Sequence, residues 1–360
     1  MATATQLIRA AVARGAVRQL RIETLTLEMP RADEVLVRII ASGICHTDID
    51  FCEGGVSGPT VFGHEGAGIV ERVGSAVKGF KNGDHVVLSY QSCGHCAACR
   101  RDHPADCRHF WDLNFGFERF DGTSAYAASG IRGHFFGQSS FATHALATTR
   151  NIVKVDRALP LDLLAPLGCG LQTGAGTVMN SLAVKKSQSI AILGAGAVGL
   201  AAVMAARIMG AEPIIAVDMR PHRLRLAKEL GATHVIDTRR SDAAKRIAKI
   251  SGGVDHVVES TGDTSLDRIG RELLNPRGKM ARLAGGPGME LSNGRKVLGV
   301  IQGDAVPQRF IPKLIKLWRD GRFPFERLIK VYDFADINQA IADAKSGKTI
   351  KPVLHIGGTE

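Results

Sequence analysis

Thirty residues in the middle of the chain, Ser189–Asp218 (SIAILGAGAVGLAAVMAARIMGAEPIIAVD), leave few folds open. An apolar run enters the turn Gly194, Ala195, Gly196, Ala197, Val198, Gly199; an Ala-rich stretch of helical length follows, and a second apolar run ends at Asp218. The order is strand, turn, helix, strand. In such a unit Gly194 makes the tight turn, Gly196 lets the backbone approach a pyrophosphate, and Gly199 packs helix against strand. N–H groups at the helix start then face the phosphates. Asp218 stands where a carboxylate accepts hydrogen bonds from an adenosine ribose and repels a 2′-phosphate, which predicts NAD rather than NADP. A bare G-x-G-x-x-G also occurs in ordinary Gly-rich turns, and the flanking strand, helix and acid supply the context that separates the two. Val254–Gly262 and Lys279–Pro287 read as further buried strands ending in Gly-rich loops, where a parallel sheet takes its ligand. The nicotinamide is expected near those ends.

One such unit accounts for about half of 360 residues, so a second domain is expected. The dinucleotide domain is placed at 171–303, and residues 1–170 and 304–360 are assigned together to a discontinuous partner. No run reaches the roughly 20 apolar residues of a membrane span. MATATQLIRAAVARG lacks the core and cleavage pattern of a signal peptide and reads as a first strand, so a cytoplasmic protein is expected. A formal charge of +11 raises nucleic-acid binding as an alternative. The Lys and Arg residues are dispersed, with short clusters at Arg100–Arg101, Lys185–Lys186 and Arg239–Arg240, and no aromatic-interleaved basic stripe accompanies them. No nucleic-acid or membrane partner is expected.

Seven cysteines in a chain of this class argue for metal before disulfides. Cys93, Cys96, Cys99 and Cys107 follow one another at the spacing that lets four thiolates close around a tetrahedral zinc with no place left for water, the description of a structural site. His95 and His103 in the same lobe read as surface residues. Ahead of the lobe, Gln6–Ile40 alternates apolar and polar residues, and IVERVGSAVKGFKNGDHVVL gives two more strands about a turn at Lys81–Asp84. The first third is therefore β-rich. Residues 108–150 show no helical period and read as a long loop before returning strands; Phe110, Trp111, Phe115, Phe117 and Phe120 are candidates for a substrate pocket there. Cys169 lies in a Gly-flanked turn before a helix. Beyond Gln308 a helix, a strand, a helix and a last strand (KPVLHI) are expected.

Cys45, Gly63-His64-Glu65, the four-cysteine lobe, Cys169 and GAGAVG…Asp218, in this order, resemble the zinc-dependent medium-chain alcohol dehydrogenases from end to end. FGHEGAGIVERVGSAVKGF, FFGQSSFATHAL, PLGCGLQTGAG and GRFPFERLIKVYDFADINQA look most like bacterial aryl-alcohol (benzyl-alcohol) and geraniol dehydrogenases. The resemblance implies an α/β fold: a Rossmann domain with a doubly wound parallel sheet, and a β-rich GroES-like catalytic domain. It implies two zinc ions per subunit, the catalytic one bound by Cys45, His64 and Cys169 with a fourth position for water or substrate oxygen. Glu65 resembles the carboxylate that transiently visits this metal, and Asp48 the group that orients the His64 ring. Thr47 resembles the hydroxyl that takes the alcohol proton. Many relatives complete the relay with a histidine three residues further on, and here that position is Asp50. His46 stands where many relatives carry a phosphate-binding arginine, so its contact is weaker and its charge depends on pH. Lys351 matches a basic residue that approaches the pyrophosphate, and Val198 one that backs the nicotinamide. Cys52 matches no ligand position. The implied reaction is NAD-dependent, reversible oxidation of primary aromatic or allylic alcohols, or else of aliphatic or other alcohols on the same fold, by a homodimer or homotetramer.

Overall fold

The alternation that begins near Gln6 becomes three strands, Thr5–Ala13, Arg21–Glu28 and Glu34–Gly43. The computed structural model describes residues 4–14, 19–54, 56, 58–283, 286 and 288–357. Two units divide the chain: Met1–Cys169 with Val306–Pro312 and Glu326–Glu360, and Gly170–Ala305 with Lys313–Phe325.

In the first unit the organising strand is Glu34–Gly43. Val35, Leu36, Val37 and Ile39 are fully buried, and each such side chain contributes roughly 1.5–3 kcal/mol relative to exposure. A slip of one residue would exchange the strand's two faces, so burial fixes its register. One edge of it is shared by His144–Thr148, along Glu34–Arg38, and by Lys351–His355, along Ala41–Gly43. The other edge holds Glu65–Val73, with Gly43 opposite Glu65. His85–Leu88, Ile152–Val155 and Ile329–Asp333 complete this sheet. The pairing brings three chemically loaded positions to one end: the residues after Gly43, the start of the Glu65 strand, and the start of the Lys351 strand. The 108–150 stretch contains a short helix that its sequence does not announce, Phe110–Phe115, too short to show a period.

Among the described residues the second unit carries six parallel strands: Ile190–Leu193, Ile214–Asp218, His234–Asp237, Val254–Glu259, Leu274–Arg282 and Lys296–Gly299. Numbered in chain order, they lie 3-2-1-4-5-6, the doubly wound arrangement whose order reverses beside the first strand. Met289–Glu290 adds an antiparallel edge. The helix Ala197–Met209 buries every residue from Gly199 to Ala206. Small side chains allow that: a Cβ on Gly174, in the helix Gly170–Gly176, would lie 2.0 Å from the Val198 carbonyl oxygen. Part of the Gly-rich end of the 279–287 stretch lies outside the described residues.

The division shifts the expected bounds by one or two residues, to Cys169 and Ala305, and differs substantially in one segment. Residues 304–360 were assigned whole to the β-rich unit, yet Lys313–Phe325 groups with the dinucleotide unit. The boundary falls inside the helix Pro307–Arg319, just past Pro312. Beyond it Trp318 and Phe323 pack on Phe325, and Phe323 and Phe325 are fully buried. Apolar burial, invisible in the order of elements, decides where this segment belongs.

Candidate active site

Cys45 is the N-cap of the helix His46–Glu53, and Asp48 lies in that helix's first turn. A carboxylate there is favoured by the orphan N–H groups of the helix start. Asp48 Oδ2 accepts the Cys45 N–H at 2.9 Å, while Oδ1 accepts the Gly63 N–H at 3.1 Å and pairs with His64 Nδ1 at 2.8 Å. One buried carboxylate thus ties the Cys45 backbone to the Gly63 backbone and the His64 ring. From the other side the buried amide of Gln138 accepts the Gly66 N–H and donates to the carbonyls of His64 and Ser89.

With Nδ1 held, Nε2 of His64 is buried and has no hydrogen-bond partner. Cys45, Glu65 and Cys169 each bring a ligand atom so that these three and a His64 nitrogen all lie within 4.8 Å of one another. An orphaned imidazole nitrogen beside two sulfurs and a carboxylate is a donor set that suits zinc. Burial and close packing shift the ionisation of the cluster strongly. Cys45 is drawn well below the ordinary thiol range, first by hydrogen bonding with Cys169 and, against burial, by His64 and Lys351. For His64 burial works against the charged form, but the charge and hydrogen bond of Asp48 outweigh it and push the ring up to about 10. Thr47 Oγ1 lies 3.8 Å from Cys45 Sγ. His46 and Asp50 are exposed, with Nε2 and Oδ1 3.8 Å apart.

Lys351, expected to approach the pyrophosphate, is paired with Glu65 in this structure. It is buried, and its ammonium donates to both Glu65 carboxylate oxygens at 3.0 Å and to the Ile44 carbonyl at 3.1 Å. Its strand pairs with the end of Glu34–Gly43, which aims the side chain at the cluster.

Six phenylalanines stand beside the same cluster. Phe136 stacks on the His64 ring with centroids 4.4 Å apart, and Phe135 meets it edge-on at 5.5 Å. Phe62, Phe117, Phe115 and Phe51 pack around Phe135 at 5.3 to 5.8 Å. Phe115 and Phe117 were expected to take part. Phe110 instead packs against Tyr90 in the core, Trp111 is 62% exposed and flanks Phe115, and Phe120 is 57% exposed against His109. Phe51, Phe62, Phe135 and Phe136 escaped the sequence reading; the doublet beside His134, between two glycines, was the available signal. Their backbone is unusual. His134, Phe136 and Ser139 have φ of 61°, 55° and 55°, and Phe117 has 61°. Left-handed non-glycine residues cost roughly 1–3 kcal/mol each and persist where surroundings over-determine them. Here Ser139 Oγ accepts the Phe135 N–H and donates to the Val61 carbonyl, and His134 Nε2 accepts the Ala125 N–H.

The second cysteine group closes on itself. Ligand atoms of Cys93, Cys96, Cys99 and Cys107 lie within 4.8 Å of one another. Backbone N–H groups of Cys93 and Cys96 donate to the sulfurs of Cys107 and Cys93 at 3.3 Å. Backbone hydrogen bonds from Cys99 and Arg108 draw Cys96 down to about 5, whereas burial pushes Cys107 up to about 12. An all-sulfur set of four fits a structural zinc. His95 is exposed and turns Nδ1 to the Cys93 carbonyl, and His103 is exposed. Cys52 is partly buried, and burial raises its thiol.

In the second unit Gly194 has φ +96°, and a Cβ on Gly199 would lie 1.8 Å from the Gly194 carbonyl oxygen, so helix and turn touch as the motif requires. Gly196 caps the helix, and a Cβ on it would lie 3.9 Å from Arg223 Nη1, an ordinary contact. Asp218 accepts the N–H of Ala195 and of Arg220, each at 2.7 Å. Arg223, not singled out by sequence, has its Nη1 3.9 Å from Asp218 and its Nε buried without a partner. An open recess of about 240 Å³ beside them is lined by Met219, Arg220, Pro221, His222 and Arg239.

Residues 31–157 match the family described as alcohol dehydrogenase GroES-like domain, and 197–317 that described as zinc-binding dehydrogenase. Geraniol dehydrogenase of Castellaniella defragrans is 43% identical over 96% of this chain and 97% of its own length. Benzyl alcohol dehydrogenase from Acinetobacter calcoaceticus is similar in structure, with a TM-score of 0.93 at 42% identity over 98% of this chain and all of that one. An alcohol dehydrogenase zinc-binding domain protein from Burkholderia ambifaria gives 0.94 at 50% identity over 99% and 100%.

Proposed function

The chain belongs to the zinc-dependent medium-chain alcohol dehydrogenases, and from that premise we propose that it oxidises primary aromatic or allylic alcohols, of benzyl alcohol or geraniol type, reversibly to aldehydes with NAD. The observation that carries this reading is the meeting of an orphaned imidazole nitrogen, two thiols and a carboxylate with a wall of phenylalanine rings. The names of the geraniol and benzyl alcohol dehydrogenase relatives support it.

Cys45, His64 and Cys169 would hold the catalytic zinc, and Cys93, Cys96, Cys99 and Cys107 a structural one. When bound, these groups supply Lewis-acid polarisation of the alcohol oxygen, from zinc, and a hydride acceptor, from NAD. The rest is the work of side chains. Asp48 fixes the tautomer and orientation of His64, leaving Nε2 for the metal. Thr47 takes the alcohol proton through its hydroxyl towards the ribose and solvent. The exposed Asp50, beside His46, stands in place of a relay histidine. Phe136, Phe135 and Phe117 exclude water and offer flat apolar faces to an aryl ring or an allylic double bond. Gly194, Gly196 and Gly199 cradle the pyrophosphate, with His46 as an auxiliary contact; Val198 backs the nicotinamide. Asp218 favours the free ribose of NAD over a 2′-phosphate, and Arg223 joins it there. Among the described residues no helix is long and apolar enough to cross a membrane; a cytoplasmic homodimer or homotetramer completes the proposal.

The test is NADH formation by zinc-loaded protein with benzyl alcohol, geraniol, cinnamyl alcohol, ethanol and 1-hexanol, compared as kcat/KM and repeated with NADP. Benzylic and allylic alcohols should lead by roughly tenfold or more, about 1.4 kcal/mol of transition-state preference. A lead for ethanol or hexanol would keep the metal centre and overturn the substrate class.

A further inference from the structure

Glu65 has two claimants. It lies among the ligand atoms of the proposed zinc centre, and its carboxylate is also gripped through both oxygens by Lys351. We propose that Lys351 is a positioning residue that keeps Glu65 off the catalytic metal, so that the fourth coordination position stays open to the alcohol. The inference rests on the reading of Cys45, His64 and Cys169 as zinc ligands.

Charge is the first argument. A divalent zinc with two thiolates and a neutral imidazole carries no net charge. A carboxylate added to it would leave an excess negative charge in a place closed to water, since Glu65 is 0% and Lys351 3% exposed. Paired with a lysine, the same carboxylate is neutralised without touching the metal. A buried charge deprived of its partner seeks another, and with Lys351 gone the nearest cation is the zinc.

Space is the second. A Cβ on Gly43 would lie 2.1 Å from Glu65 Oε2 and 3.1 Å from its Cβ and Cδ. The carboxylate therefore rests in the room that Gly43 leaves by having no side chain. Gly43 and Glu65 are directly paired across the sheet, and Val353 faces Gly43 from the other edge, two residues along from Lys351. Three strands thus build a resting place, with an ammonium at its mouth and the Ile44 carbonyl fixing that ammonium.

Cobalt(II) in place of zinc gives the readout, because its visible absorption reports coordination whatever alcohol the enzyme prefers. Imidazole, a neutral metal ligand, would be titrated into the cobalt forms of the parent, Lys351→Arg, Lys351→Met, Gly43→Ala and Glu65→Gln/Lys351→Met proteins. Parent and Lys351→Arg should bind imidazole alike. Lys351→Met and Gly43→Ala should bind it roughly 10–100-fold more weakly, the range typical of lost outer partners in metal sites, because Glu65 takes the open position. The double variant should return to parental affinity. Parental affinity in Lys351→Met overturns the proposal, as does a double variant as weak as the single one, which would make Lys351 a packing element only. Should Lys351→Met not fold, Gly43→Ala decides, since it keeps the lysine and adds one methyl group; unchanged affinity there overturns the proposal. A parent protein whose cobalt spectrum ignores imidazole is a different failure, and it removes the zinc centre itself.

Discussion

Four sulfurs that follow one another within a single short segment make the Cys93–Cys107 group, whereas Cys45, His64, Glu65 and Cys169 come from a helix cap, a strand start and a turn far apart in the chain. Backbone N–H groups inside the lobe serve its sulfurs, so it carries its own environment. The dispersed group borrows one: Asp48 for the imidazole, Gln138 for its backbone, Lys351 for Glu65, and Phe136 for its face. A metal that only holds chain together needs a closed local cage; one that performs chemistry needs ligands whose freedom is set by groups outside the coordination sphere.

The largest expected effect separates the two groups outright. Cys169→Ser should abolish alcohol turnover and lose one of the two proposed metal ions while the protein still unfolds at close to the parental temperature. Cys96→Ser should also lose one ion but lower stability on the order of several kcal/mol, because the free energy of a structural zinc is folding free energy. Metal content per chain and thermal unfolding measure both, and parental stability in Cys96→Ser would erase the distinction. Next in size is Asp48→Asn, which should cost roughly 10–100-fold in kcat/KM or in catalytic-site metal affinity and leave the lobe's metal untouched. Phe136→Ala should narrow the benzyl alcohol to hexanol preference by about 1–3 kcal/mol, with the lobe again indifferent; an unchanged ratio would deny the ring a part in selectivity.

The smallest effect is on pH dependence. Burial pushes His134 down to about 3, below its unfolded value of 6.5. The unfolded chain then binds more protons between these values, so the stability that neutral His134 contributes is present above about pH 6.5 and is lost as pH falls. Denaturant midpoints taken from about pH 7 to about pH 5.5 should show a loss of about 1 kcal/mol from this group, and His134→Gln should flatten that part of the profile. An equal slope in the variant would place the sensitivity elsewhere.

What could be read from the chain follows the same contrast. The lobe and the Gly194–Asp218 unit are local patterns whose spacing alone encodes their geometry, and the strands around them follow from alternation. The dispersed ligands became legible only together, as a resemblance. Only two of the six rings of the aromatic wall were visible, because the rings meet only after Phe117 and Phe136 adopt left-handed backbone, which no residue preference announces. Lys351 is legible as an important cation, but its pairing with Glu65 is not: the partner of a basic residue depends on which strand its own strand pairs with. The unit boundary inside Pro307–Arg319 was hidden for a similar reason, since it turns on where Phe323 and Phe325 are buried.

The pairing of Lys351–His355 with the end of Glu34–Gly43 bears on how a newly made chain acquires its metals. Once Cys107 has left the ribosome the lobe has every ligand it will ever have. The other centre gains its last thiol with Cys169, long before the lysine that answers Glu65 has been synthesised. Chain order thus places Cys45, His64, Glu65 and Cys169 all ahead of the lysine that pairs with Glu65.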